Sequence, residues 1–468
     1  MLETRAETRG ATRPPVVRGG APLLGHALEF GKDPRGFLER CHAHYGDVFT
    51  VRFPGTRRTF LMNPFDYPAY FKHRDLIFEE FGTEVGCRVF GYTRKQAEHL
   101  SPAHINHQLH TFMRGDPLHA MSERMQQKLE ERLFGLPEGK WQEAGLFEWG
   151  HEHIFAAATD AVFGDGIYND ALQAAYTKLD RHFGLLALGV PAWMIPGCAS
   201  AQRTLAKCLS EPGPNCAQII TERRLWFDER GLPLKARGHV EAGVLWAAQA
   251  NTVAAAFWTL LFVLRDNSAR NALLDEVRSI AGERRPTAPG ERLFSKQDLK
   301  AMVKLDSAVT EMNRLTTAPM VPRRAERDAV LTLESGRQIE ILKDEDLVLF
   351  PPVVQLDPDV YESPHEFRYD RFWSEDGRPK RWTKGGERVH FHMLPFGGGK
   401  SMCPGRFFAV NEFKITVATL LAWFDLELLS DGVPPFDLRR TGFGTYPPTH
   451  DVRFRFRLRP ESRDLASQ

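Results

Sequence analysis

The stretch Pro395-Phe-Gly-Gly-Gly-Lys-Ser-Met-Cys-Pro-Gly405 decides the fold, because three consecutive glycines and a cysteine stand directly before an apolar helix pattern. Glycine has no Cβ, so such a loop can lie close against a flat ligand. Cys403 precedes a predicted helix whose free N–H groups and positive end stabilise a thiolate. A thiolate on haem iron favours cleavage of an O–O bond. The loop therefore predicts a haem bound through Cys403, and a free cysteine in a glycine turn is the alternative.

The segments around this loop predict a mainly α protein with a minor β-sheet. Apolar periodicity predicts helices over residues 117–134, 240–264 and 305–315. Another helix follows Cys403, with its apolar stripe at Val410, Phe413, Val417, Leu420, Leu421 and Phe424. Residues 50–52 and 59–62 indicate a hairpin, and the alternating residues 452–458 a half-exposed strand. We predict a flexible tail over residues 1–15 and one domain over 16–468, with residues 282–290 as a polar loop.

Composition and charge exclude several classes of protein. The 468 residues carry a formal net charge of +1, which argues against nucleic-acid binding, and 33 phenylalanines favour a lipophilic partner. The six cysteines show no framework spacing, which suits a reducing compartment. Residues 242–264 are uncharged and long enough to span a membrane, but Gln249, Asn251 and Thr252 lie near their middle. We therefore predict a buried central helix, no transmembrane anchor in this chain and a cytoplasmic monomer.

Three motifs resemble those of the cytochrome P450 family. Phe396-x-x-Gly399-x-x-x-Cys403-x-Gly405, with Ala409 four residues on, resembles the family's haem loop. Glu311-x-x-Arg314 and the segment Pro364–Phe372, which supplies Arg371, resemble its two upstream signatures. The resemblance implies that Glu311, Arg314 and Arg371 form a buried structural charge triad.

The resemblance also implies the cytochrome P450 fold, with haem b (iron-protoporphyrin IX) between the long central helix and the helix after the cysteine loop. Buried haem carboxylates need positive or hydrogen-bonding partners. Ser401 stands where most relatives carry a basic residue, so Arg323 is the first choice and Ser401 a hydrogen-bond donor. The electron donor implied by the family is a ferredoxin or a flavin reductase at the thiolate face, where Lys400, Arg406 and Lys414 offer positive charge. The absent anchor suggests a bacterial-type enzyme, or an anchor-trimmed form of an endoplasmic-reticulum enzyme.

The central helix departs from the common family pattern. The positions of the usual acid and threonine are Ala250 and Asn251, followed by Thr252. This trio and the segments 436–444 and 450–452 resemble the branch of cholesterol 7α-hydroxylase, sterol 12α-hydroxylase and prostacyclin synthase. Without the acid, protons would arrive through water ordered by Asn251 or Thr252, the predicted catalytic residues.

The branch leaves two reactions open. A monooxygenase hydroxylates a sterol, steroid or similar lipid with O2 and external electrons, whereas an isomerase rearranges a lipid endoperoxide without them. The Ala-Asn-Thr order favours hydroxylation. A haem-binding protein without turnover is a third possibility. The positions expected around the substrate are Trp246, Ala247, Ala250, Ala318, Met320, Val321, Phe443 and Thr445.

Histidines suggest a rival class, a metal hydrolase. His104, His107 and His110 repeat at a spacing of three, and His151 and His153 at a spacing of two. Helical metal sites usually use a spacing of four beside a carboxylate. This pattern therefore disfavours a metal site.

Overall fold

A computed structural model describes residues 10–100, 102–282 and 293–460. Its helices are α1 (Ala27–Lys32), α2 (Pro34–Tyr45), α3 (Tyr67–Lys72), α4 (Glu79–Phe90), α5 (Arg94–Ala97), α6 (Pro102–Phe112), α7 (Gly115–Leu133), α8 (Leu146–Phe163), α9 (Asp170–Arg181), α10 (Phe183–Ala187), α11 (Cys198–Cys208), α12 (Gln218–Glu229), α13 (Leu234–Gln249), α14 (Thr252–Arg265), α15 (Asn267–Ala281), α16 (Lys296–Ala301), α17 (Val303–Thr316), α18 (Pro352–Gln355) and α19 (Arg406–Trp423). Its strands are β1 (Val48–Phe53), β2 (Thr56–Leu61), β3 (Leu76–Ile77), β4 (Gln142–Gly145), β5 (Val321–Ala325), β6 (Ala329–Thr332), β7 (Gln338–Ile341), β8 (Asp346–Leu349), β9 (Thr383–Lys384), β10 (Glu387–Arg388), β11 (Phe424–Leu428) and β12 (Arg453–Leu458). The mainly α prediction with minor sheet is confirmed.

Helix α14 forms the centre of the helical part. It packs against α8, α17 and α19, and its residues are apolar on all sides, as expected for a helix surrounded by protein. Among the described residues, the span Leu234–Arg265 is the one helix long and apolar enough to cross a membrane. Its most apolar window is 78% buried inside the protein, in agreement with the predicted buried central helix.

The predicted helix 240–264 is in fact interrupted at Ala250 and Asn251, so the prediction of one regular helix was wrong there. The hydroxyl of Thr252 donates back to the carbonyl of Ala248 at 2.8 Å, a contact that often bends helices. The Arg440 guanidinium donates to the carbonyl of Ala250 at 3.3 Å. Side chains distant in sequence thus fix the break.

A five-stranded sheet in the order β1-β2-β8-β5-β3 forms one wall of the protein. The predicted early hairpin is confirmed as the antiparallel pair β1 and β2. Strand β12 pairs with β11 and β4, which confirms the predicted C-terminal strand. Strand β5 brings its residues, including Arg323, toward the glycine loop, because it follows directly on α17.

The N-terminal prediction needs a correction at its boundary. Thr12 N–H donates to the carbonyl of Gln338, and Arg13 forms an ion pair with Glu345 at 2.5 Å. Residues 12–15 are therefore held against the sheet edge rather than flexible. Residues 1–9, and the predicted loop 282–290 beyond Gly282, lie outside the described residues.

Candidate active site

The glycine loop before α19 folds so that its cysteine faces the interior. The N–H of Cys403 donates to the carbonyl of Phe396 at 2.9 Å. Gly399 has φ +66°, and a Cβ on it would stand 2.8 Å from the Phe71 ring. A Cβ on Gly398 would stand 2.5 Å from the same ring. These two glycines are thus required by the protein's own Phe71, a reason that the sequence pattern did not reveal.

The Cys403 sulfur lies in the wall of a large cavity, at the positive end of α19. Burial raises the pKa of the Cys403 thiol, while the N–H groups of Gly405 and Arg406 donate to the sulfur and oppose that rise. A thiolate at this place therefore needs a cation to offset its burial, and these N–H donors suit a metal-bound sulfur. The wall next to the sulfur is apolar or lacks Cβ atoms and consists of Pro395, Phe396, Pro404, Gly405, Phe408 and Ala409. These residues fit a flat haem whose iron Cys403 would bind.

The cavity itself has a volume of about 1580 Å³. Ligand pockets commonly measure about 300–1,000 Å³, so this one has room for a haem and a second large molecule. The central segment lines it with Val240, Gly243, Val244, Trp246, Ala247, Ala248, Asn251 and Thr252. Within α13, the spacing of three and four places Val240, Gly243, Val244, Ala247 and Ala248 on one helix face. The cavity therefore runs lengthwise along the helix, a shape that suits an extended molecule.

Five of the eight predicted substrate positions line this cavity, namely Trp246, Ala247, Met320, Phe443 and Thr445. Ala250, Ala318 and Val321 are not part of its wall, and their prediction as contacts was wrong. Ala250 lies in the interruption between α13 and α14, where its carbonyl accepts a hydrogen bond from Arg440 at 3.3 Å. Val321 points to the opposite side of β5 from its neighbours Met320 and Pro322, because side chains alternate along a strand. Ala318 is covered by the C-terminal loop, whose Gly444 carbonyl accepts its N–H at 2.8 Å.

The predicted catalytic residue Thr252 contacts a buried acid that sequence analysis missed. Thr252 Oγ1 lies 3.3 Å from Glu412 Oε2, and both residues line the cavity. Glu412 is 1% exposed, and burial raises the pKa of its carboxyl well above the usual value. Burial therefore favours the protonated, neutral form of this acid. The signal that could have found it is its position, because it is the one acidic residue in the apolar helix α19.

Asn251, the other predicted catalytic residue, is partly committed to the C-terminal loop. Its Oδ1 accepts the N–H of Thr445 at 2.8 Å. A Cβ on Gly444 would stand 2.2 Å from this oxygen, and Gly444 has φ +106°. Only the amide nitrogen of Asn251 stays available toward the cavity. The side chain can therefore donate to a bound oxygen atom, while its own oxygen holds the N–H of Thr445.

The residues predicted to meet the haem carboxylates lie beside the cavity rather than in its wall. Arg323 is 5% exposed and donates to the carbonyls of Gly398 at 3.1 Å and Pro322 at 3.3 Å. Its guanidinium thus joins β5 to the glycine loop. Ser401 is partly exposed and makes no side-chain hydrogen bond among the described residues. The role of Arg323 and Ser401 as partners of the haem carboxylates stays a prediction.

The predicted charge triad comes together behind the loop. Arg314 donates to both carboxylate oxygens of Glu311, at 2.7 and 2.8 Å, and Arg371 donates to one at 2.8 Å. All three are at least 96% buried. Other N–H groups of the two guanidiniums donate to backbone carbonyls of residues 355–366. Because none of the three lines the cavity, the arrangement supports the role predicted for them, which is to hold the 361–372 segment against α17.

The histidine cluster gives no metal centre. Among residues 10–100, 102–282 and 293–460, no group of three His, Cys, Asp or Glu side chains is placed to hold a metal ion. Burial lowers the pKa of His153 to about 4, so this imidazole is neutral and internal. The side chain of His104 lies outside the described residues.

Comparisons with known proteins agree with this geometry. A family model for Cytochrome P450 matches residues 240–454. The chain is 34% identical to 5-beta-cholestane-3-alpha,7-alpha-diol 12-alpha-hydroxylase of Sus scrofa, over 98% of this chain and 96% of that protein. It is 33% identical to prostacyclin synthase of Bos taurus, over 97% and 95% of the two chains. It is 30% identical to cholesterol 7-alpha-monooxygenase of Cricetulus griseus, over 96% and 94%.

These relatives are similar along nearly their whole length, which confirms the predicted resemblance to this branch. The chain belongs to the cytochrome P450 family, binds haem b and is a P450 monooxygenase.

Proposed function

We propose that this enzyme hydroxylates a sterol, a steroid or a similar extended lipid, using O2 and electrons from a protein partner. The observation that carries the proposal is the contact between Thr252 and the neutral acid Glu412 in the wall of the elongated cavity. Hydroxylation consumes protons at the site, and this pair can supply them. Relatives named as a sterol 12-alpha-hydroxylase and a cholesterol 7-alpha-monooxygenase support the substrate class.

The haem, when bound, supplies the activation of O2. Cys403 would hold the haem through its sulfur, and the apolar residues Phe396, Phe408 and Ala409 would pack against the bound group. Arg323 would donate to a haem carboxylate once its guanidinium turns from the Gly398 carbonyl. The position of Arg323, buried and adjacent to the glycine loop, supports this role.

Two oxygens lie within hydrogen-bond distance of Thr252 Oγ1, the carbonyl of Ala248 and Oε2 of Glu412, and they indicate how a proton is supplied. The Thr252 hydroxyl has one proton, and its shorter hydrogen bond is to the carbonyl of Ala248 at 2.8 Å. A protonated Glu412 can therefore donate to Thr252 Oγ1, since a hydroxyl oxygen also accepts. A carboxylic acid kept neutral by burial is a known proton source in enzymes. Glu412 would thus replace the acid that the central helix lacks at Ala250.

Substrate orientation falls to Asn251 and the aromatic wall. The free amide N–H of Asn251 would donate to a substrate oxygen or to an ordered water. Trp246 donates to Asp180 at 2.8 Å and stacks on Phe183 at 3.9 Å between ring centroids. Phe183 also meets Phe443 edge to face. These fixed rings would exclude water from the substrate cavity.

Electrons would enter from the opposite side of the cysteine loop. A groove of about 830 Å³ lies there, and its basic residues are Arg114, Lys296, Lys300, Arg406 and Lys414. Lys414 is 4% exposed and pairs with Asp306 at 3.0 Å, so its prediction as a surface charge was wrong. The remaining cations favour an acidic partner, and we propose a ferredoxin or a flavin reductase acting on a monomer.

The mouth of the cavity favours contact with lipid. Leu185 and Leu188 line the cavity and are 48% and 52% exposed, and the nearby Trp193 and Met194 are 78% and 58% exposed. Contiguous exposed apolar residues commonly mark protein or membrane contacts. We propose that this rim lies on a membrane, which favours the endoplasmic-reticulum alternative over a freely cytoplasmic enzyme.

Isomerisation of a lipid endoperoxide is the second candidate, because the chain is 33% identical to prostacyclin synthase and Asn251 offers a donor to a bound oxygen. An optical titration of the ferric enzyme with sterols, steroids, fatty acids and a stable endoperoxide analogue separates the two. Displacement of the iron's water by sterols, followed by O2-dependent product formation, supports hydroxylation. Binding of the endoperoxide analogue alone, with conversion that needs no electrons, would overturn it. Ligand binding without either conversion would indicate a haem protein without turnover.

A further inference from the structure

The far end of the cavity holds an ion pair that the reaction at Cys403 does not use. Arg223 on α12 donates its Nε–H to both oxygens of Glu241 on α13, at 3.0 and 3.3 Å. Both side chains are 2% exposed. Arg223 belongs to the cavity wall, among apolar neighbours that include Ile219, Val240 and Val244.

The arginine has more donors than protein acceptors. A guanidinium carries five N–H groups, and Glu241 receives the one on Nε. The four N–H groups on its two outer nitrogens make no hydrogen bond to any residue that the structure describes. Because Arg223 lines the cavity, a bound molecule can reach these donors. A ligand that brings an oxygen to this end of the cavity would give them an acceptor.

We propose that Arg223 recognises a hydroxyl or keto oxygen at the end of the substrate remote from the oxidised carbon. The inference rests on the proposed lipid hydroxylation and adds a specificity residue to it. A neutral oxygen fits better than a carboxylate, because Glu241 already compensates the arginine's charge and would repel a second anion. Among the described residues, Tyr92 also lines the cavity near Arg223, but Arg223 is the one of the two that carries a charge.

The length of the cavity sets the spacing between the two ends of the ligand. Val240 packs beside Glu241, and Thr252 lies at the predicted oxygen-activating end. Within α13, Val240 and Ala248 both line the cavity and are eight residues apart, which corresponds to roughly 12 Å at about 1.5 Å per residue. The interruption between α13 and α14 then separates Ala248 from Thr252. The recognised oxygen and the oxidised carbon therefore lie near opposite ends of an extended molecule.

Matched ligand pairs test the assignment in the haem-loaded enzyme. One pair is 5α-cholestan-3β-ol and 5α-cholestane, and the other is hexadecan-1-ol and hexadecane, with hexadecanoate as the anionic probe. The readout is the dissociation constant from the Soret shift. The double variant Arg223→Met with Glu241→Leu removes both charges, an exchange that buried pairs often tolerate. Arg223→Lys keeps the charge but removes the outer amino groups, and Arg237→Met, which alters an arginine outside the cavity wall, is the control.

We expect wild type and the Arg237→Met control to bind an oxygenated member about 10- to 100-fold more tightly than its hydrocarbon. The ratio should fall to within threefold in the double variant and in Arg223→Lys. A ratio that persists in the double variant, or wild type that discriminates within neither pair, overturns the inference. If hexadecanoate binds more tightly than every other probe, and this preference disappears when Arg223 is replaced, the choice of a neutral oxygen is overturned. If Arg223-dependent discrimination appears in the hexadecanol pair alone, the role of Arg223 is supported and the sterol proposal fails. If the sterols bind but the enzyme does not discriminate within their pair, the sterol proposal stands and the role of Arg223 fails.

Discussion

Replacing Glu412 by glutamine should remove proton supply while leaving the shape of the site intact. Glutamine has nearly the same volume and can still contact Thr252 Oγ1, which lies 3.3 Å from the carboxyl oxygen. It cannot release a proton. Of the other acids in the described cavity wall, Glu84 and Asp346 are paired with Arg324, and Asp344 lies two residues before Asp346, at the start of β8. We therefore expect no second side chain to take over the role.

The magnitude follows from the contribution of a positioned proton donor, which is about 10²–10⁴-fold in rate. At 1.36 kcal/mol per tenfold, this range corresponds to about 3–5 kcal/mol in the barrier. We expect the lower end, about 100-fold, because the large cavity can admit water that replaces part of the function. The assay measures product formed per enzyme and per O2 consumed, with saturating electron donor. Both quantities should fall in Glu412→Gln.

The pH profile and a control variant make the test specific. Burial raises the pKa of Glu412, so the acid is protonated at low pH and loses its proton as pH rises through that raised pKa. The wild-type rate should fall on this rise, whereas the Glu412→Gln rate should not change with it. Thr416→Val removes another buried hydroxyl one turn further along α19, and it should keep the wild-type rate. If Glu412→Gln retains rate and coupling within twofold of wild type, the proton role is refuted.

Three further predictions concern stability and the C-terminal loop. Burial raises the pKa of Glu130 from 4.5 to about 7, so its contribution to stability is complete below about 4.5 and is lost as pH rises to about 7. Between pH 4.5 and 8, the free energy of unfolding of Glu130→Gln in urea should therefore rise by up to about 3 kcal/mol relative to wild type. A difference between the two proteins that does not change with pH contradicts this prediction. Glu311→Gln leaves two buried arginines uncompensated and should cost about 3–5 kcal/mol; haem release at lower denaturant, with unchanged ligand selectivity, is the expected result, and altered selectivity with unchanged stability argues against a structural triad. Gly444→Ala places a Cβ against Asn251 at a positive φ and should weaken sterol binding by at least tenfold in the Soret titration, whereas Gly432→Ala, where the added Cβ meets open space, should not.

Local patterns were sufficient to predict the helices and the thiolate loop. Helices 117–134 and 305–315 were placed within about two residues of α7 and α17, because an amphipathic or apolar stripe depends on residues close together in sequence. The cysteine loop, the Glu311 motif and the Arg371 segment were likewise recognised from residues close together in sequence. The central helix was predicted too regular, since at its interruption the carbonyl of Ala250 accepts from Arg440, 190 residues away in sequence.

The partners of the functional residues depended on tertiary structure. Glu412 on its own reads as one charged residue in a helix; only the packing of α19 against α14 places it beside Thr252 and raises its pKa. Val321 and Ala250 were predicted around the substrate from the family resemblance, but strand alternation turns Val321 away from the cavity, and Ala250 lies in the interruption between α13 and α14. The pairing of Arg223 with Glu241 likewise joins two helices. The sequence by itself thus determined the cofactor and the order of the elements, which follow from short motifs. Proton supply, the cavity wall and the distal arginine were decided by tertiary structure, because they arise from burial and contacts between distant segments.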